Sequence, residues 1–112
     1  MTVVLTGTVT LGEVAMFLES QREQDAWTYS VLYDAHDATV DLPDTDLADL
    51  AAHLQTLNRP RPRGPVAVVG TDDRLRTVVE RFASLVKPMG LAIGFFRDLQ
   101  TASRWLDEHV PT

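Results

Sequence analysis

The spacing of apolar residues in this chain switches between strand-like and helix-like four times over, and that alternation restricts the fold more than any other feature. Val3 to Val9 (VVLTGTV) is β-branched and apolar, which suits an extended strand. Thr10 and Glu13 follow with the spacing of a capping box, and Leu11, Val14, Ala15 and Leu18 then fall on one helical stripe that runs to about Gln24. Trp27 to Ala35 predicts a second strand, and residues 36–46 read as a polar loop. Asp44 or Thr45 is placed to cap a helix carrying Leu47, Leu50, Ala51, Leu54 and Leu57, with Asn58 as its stop. The prolines of Arg59 to Pro65 forbid helix and predict an extended connector. Val66 to Val69 is continuously apolar, as in a strand buried on both faces.

Gly70 to Asp73 then turns the chain into a helix with Leu75, Val78, Val79, Phe82 and Val86 on its apolar side, ended by Pro88 and Gly90. Leu91 to Phe96 predicts a fourth strand, and Asp98 caps a last helix bearing Leu99, Ala102, Trp105 and Leu106. The order βαβαβαβα implies an α/β fold: a four-stranded, mostly parallel sheet with four helices and right-handed crossovers, forming one domain over residues 1–112.

The 112 residues are 45% hydrophobic, enough for one core without disulfide or metal staples. There is no cysteine, which removes thiol catalysis, thiolate metal sites and disulfide frameworks together. No basic-then-apolar leader and no apolar run of membrane-spanning length is present, so the expected setting is cytoplasmic. Net charge is −6 and unevenly spread. Residues 1–58 hold ten acids and one base, Arg22, whereas residues 59–112 hold nine bases and six acids. An acidic chain is ill suited to nucleic-acid phosphates, so no nucleic-acid partner is expected.

Ligands of open α/β sheets gather outside the carboxyl ends of the strands. That edge would hold Asp34 and His36, then Asp72 and Asp73, then Arg97. Asp34, Asp72 and Asp73 are acids that could share a divalent cation. Aspartates at helix starts are ordinarily caps, however, and no metal site is expected. A phosphoryl-receiver arrangement needs a lysine after a late strand, and Lys87 precedes the fourth strand instead. No glycine-rich dinucleotide or P-loop motif occurs, so no cofactor is expected. His36, between Asp34 and Asp37, is the best placed of three histidines for proton transfer. Phe95 and Phe96 are strand neighbours and must point to opposite faces.

The segment Val66 to Leu106 resembles the SpoIIAA-like, STAS-type small proteins of bacteria. The resemblance is carried by an apolar strand, a polar turn opening a helix with Phe82 in mid-stripe, then Phe96-Arg97-Asp98 leading to Ala102, Trp105 and Leu106. The N-terminal TGTVTLGEV is similar to that family's strand, glycine and helix entry. The resemblance implies a mixed or mostly parallel sheet flanked by helices. Phosphorylatable STAS members act as anti-anti-sigma switches through an Asp-Ser pair at the start of the second helix. The matching positions here are Asp44-Thr45, which makes Thr45 the phosphoacceptor the resemblance implies, although Asp46-Leu47 stands where the family has Ser-Gly. Together these readings predict a non-enzymatic regulatory or protein-interaction module with a protein partner, forming a homodimer. The alternatives are a carrier of a small apolar ligand or lipid, and a phosphoswitch at Thr45.

Overall fold

The computed structural model describes residues 2–23, 30–40, 42–57 and 64–109. Four strands, β1 (Thr2–Val9), β2 (Val31–Val40), β3 (Val66–Val69) and β4 (Ile93–Phe96), alternate with helices α1 (Leu11–Glu23), α2 (Asp44–Leu57), α3 (Asp73–Val86) and α4 (Leu99–His109). The sheet is entirely parallel and its strands lie in sequence order, β1-β2-β3-β4. Each crossover therefore advances the chain by one strand in the same direction. Crossovers of one hand that step one way must all pass over the same face. Accordingly α1, α2 and α3 share one face, where Leu18, Leu50, Leu54 and Val86 pack together. Helix α4 follows the last strand and covers the other face, with Ala102 and Leu106 set against Leu32, Ala67 and Val69.

Strand β3 is thus enclosed from both sides, which accounts for its unbroken Val-Ala-Val-Val run. The adjacent phenylalanines separate as their alternation requires. Phe95 joins the α1–α3 core, and Phe96 meets Trp105 of α4 with ring centroids 5.3 Å apart.

Helix boundaries follow local chemistry. Asp72 is the N-cap of α3, its carboxylate accepting from the Arg74 amide at 2.9 Å. Asp98 serves α4 in the same way, accepting from the Thr101 amide at 2.7 Å and from the Thr101 hydroxyl at 3.0 Å. Helix α3 tightens into a 3-10 turn at Lys87–Met89, and Gly90 closes it at φ 76°, a left-handed conformation costly for residues with a Cβ. Helix α2 departs from the expected capping. Its first turn is closed by the Pro43 carbonyl, which accepts from the Asp46 and Leu47 amides, so Thr45 lies inside the first turn and is not a cap.

The largest departure is in β2. The part of the expected strand at residues 27–29 lies outside the described residues, as does the connector at 58–63. The expected loop after Ala35 is instead strand as far as Val40. The cause is a bulge. Val4 pairs with Asp34 and Thr6 with Asp37, so two steps on β1 match three on β2. The extra residue shifts the inside–outside alternation by one. Ala35 is buried, His36 and Asp37 are exposed, and Ala38 and Val40 are buried again on the same face. Read in sequence, that break in period looks like the end of a strand. Gly7, opposite the bulge, sits at φ 72° with no heavy atom within 4 Å of where a Cβ would stand, so it serves backbone conformation and not close approach. Strand β4 is also shorter than expected, starting at Ile93.

Candidate functional site

Two places in this fold hold more than packing: the stepped carboxyl edge of the sheet, and the space between the sheet and α1–α3.

The edge is stepped because β1 and β2 run past β3 and β4. Asp34 pairs with Val69, and Val69 with Phe96, so Asp34 stands level with the last residues of the two shorter strands. His36 therefore lies within a strand, as Asp34 does, and not in a loop after it. Beyond them β1 and β2 continue as a two-stranded ribbon, where the Thr8 and Thr39 hydroxyls meet at 3.2 Å.

The carboxylate of Asp34 turns back on its own strand. Its Oδ1 accepts from the His36 amide at 3.3 Å and lies 2.7 Å from His36 Nδ1. Short acceptor side chains of this kind compete with the ladder for local amides, and here that bond supports the bulge. The Asp34 hydrogen bond raises the His36 pKa above its ordinary value, and the Asp34 charge and a hydrogen bond to the Arg97 main chain act in the same direction. The same contact holds Asp34 below its ordinary value. Arg97 directs its guanidinium to Asp73 at 3.6 Å.

The structure thus brings Asp34 and His36 together and pairs Arg97 with Asp73. Asp72 is used as a cap. Asp34, Asp72 and Asp73 do not converge: among the described residues, no group of three His, Asp or Glu side chains is arranged to hold a metal ion. A histidine biased toward imidazolium is a poor general base. Its contacts with Asp34 brace the bulge of β2. Thr45 is exposed in the first turn of α2.

The second place is an apolar cavity of ≈ 130 Å³ between the sheet and α1–α3, partly open to solvent. Leu5 of β1, Ala38 of β2 and Ile93 of β4 form its sheet side, and Leu47, Leu54 and Val79 form part of its helix side. On β2, Ala35 and Ala38 line it beside Tyr33, Thr39 and Val40, and the two alanines present only single methyl groups. Protein interiors are packed as densely as organic crystals, so an unfilled volume of this size forfeits dispersion contacts along its whole lining. Sequence reasoning missed the cavity because both alanines flank the bulge. Only once the shifted alternation is known do they share a face.

The chain matches no family model, no curated protein and no solved structure. Among the described residues, no helix is long and apolar enough to cross a membrane.

Proposed function

We propose that this chain is a non-enzymatic, STAS-like binding module that holds a small apolar molecule between its sheet and the α1–α3 layer. The observation that carries the reading is the ≈ 130 Å³ cavity with its largely apolar walls. Ligand sites are concave and mostly apolar, and an unfilled core volume is costly unless something occupies it. The parallel sheet with flanking helices is the architecture that the resemblance to SpoIIAA-like proteins implies. In this reading the module works in a bacterial cytoplasm and signals occupancy to a protein partner. Self-association belongs to the same reading: α4 packs on β2, β3 and β4, and Val4 on the outer face of β1 is left 68% exposed.

The test is native mass spectrometry of the protein after gentle extraction, paired with thermal unfolding against a panel of neutral apolar compounds. A retained mass or a concentration-dependent rise in Tm supports the proposal. No retained mass and no rise with any compound defeats it.

The exposed Thr45 hydroxyl in the first turn of α2 supports a second reading, a phosphoswitch. Phosphate there would add charge at an accessible helix start. A Thr45→Glu variant with unaltered partner binding counts against it.

A further inference from the structure

We infer that the ligand of the cavity is a neutral, single-ring-sized hydrocarbon-like compound, of the size of benzene or toluene, and not an acyl chain. This rests on reading the cavity as a ligand site and narrows what that site accepts.

Volume is the first argument. The cavity measures ≈ 130 Å³. An engineered cavity of about 150 Å³ lined by Leu, Ile and Phe stays dry and takes up benzene or xenon. The present space is of that class. A long-chain acyl group carries roughly three times the carbons of benzene and exceeds it.

Lining chemistry is the second argument. No side chain that lines the cavity is charged, and the positions on both sides are dominated by Leu, Val, Ile, Phe and Ala. A ligand carboxylate or ammonium placed there would lose its hydration without gaining a partner. Asp34 and His36 pair with each other at the sheet edge and are not among the lining residues. An ionised head placed within this lining is therefore excluded on charge.

The experiment follows methyl resonances of the full chain, labelled at Ile, Leu and Val, during separate titrations with xenon, benzene and sodium palmitate. The expected result is saturable shifts with xenon and with benzene at Leu5, Leu47, Leu54 and Val79, and no shifts at those methyls with palmitate. Shifts with xenon but not benzene, or palmitate shifts at the lining methyls, overturn the ligand class while the cavity reading stands. No response to any of the three overturns both. An Ala38→Leu variant should weaken benzene binding at least tenfold by occupying the space. Val79→Phe fills the same volume from α3 if the first variant does not fold. A folded, filled variant that keeps the benzene response overturns the assignment.

Discussion

His36 Nδ1 lies 2.7 Å from Asp34 Oδ1, and the two residues belong to one strand, on the two sides of Ala35 at the β2 bulge. The pair sits level with the end of β4, because Asp34 pairs with Val69 and Val69 with Phe96. A bulge in a parallel ladder leaves backbone groups without regular partners, and side chains have to stabilise it.

That pairing predicts a pH window. The folded-state pKa of His36 is raised above 6.5, so its contribution to stability is complete below about 6.5 and is lost as pH rises through the folded value. Asp34 is lowered from 3.8, so its contribution is present above about 3.8 and is lost as pH falls through the lowered value. The pair thus supports the bulge between those two limits. Imidazole resonances should titrate above the ordinary value for His36, and Asp34→Asn should bring it down. An unchanged midpoint in Asp34→Asn would show that the contact is not made in solution.

Leu54 is 1% exposed and borders both the α1–α2–α3 core and the cavity. Its truncation enlarges a void that already exists. Leu54→Ala is expected to cost about 2–5 kcal/mol in urea unfolding. Ala38→Val adds two carbons to the cavity side of β2 and is expected to be neutral or to stabilise by about 1 kcal/mol. A loss of stability in Ala38→Val comparable to that in Leu54→Ala would mean that the wall is already filled.

Asp72 satisfies an amide at the start of α3 that has no partner within the helix. Asp72→Ala should cost about 1 kcal/mol, and Asp72→Asn, which keeps the acceptor, much less. Chemical denaturation of the three proteins gives the comparison, and equal losses in the two variants would locate the effect in charge and not in capping.

Gly94 faces α4 with no room for a side chain. A Cβ there would stand 2.8 Å and 2.9 Å from Phe96 ring atoms and 3.5 Å from Trp105. Gly94→Ala forces the Phe96–Trp105 pair to shift and should cost about 1–3 kcal/mol. In a Trp27→Phe background the emission of Trp105 should change with it. Unchanged emission and stability would place α4 farther from the sheet.

Much of this architecture was legible in local sequence. Strand and helix periods placed β1, α1, α3 and α4 closely, Asp72 and Asp98 announced their helices, and Phe95 and Phe96 parted as strict alternation demands. These features depend on residues within a turn or two of one another. Asp34 and His36 were visible as neighbours, but their bond was not, since the expected strand ended at Ala35 and left His36 in a loop. The length of β2 was misjudged for the same reason: one inserted residue at Ala35–His36 breaks the alternation from which strands are recognised.

By itself, then, the sequence determined the alternation of four strands with four helices, the face each helix turns inward, and the stops between them. Periodicity and capping are properties of adjacent residues. Only the tertiary structure decided that the bulge puts Ala35 and Ala38 on one wall, that β1 and β2 overrun β3 and β4, and that an unfilled apolar space remains beneath α1–α3. Register between strands and the fit of one layer on another are set by contacts between residues far apart in the chain, and no local pattern encodes the volume those contacts leave empty.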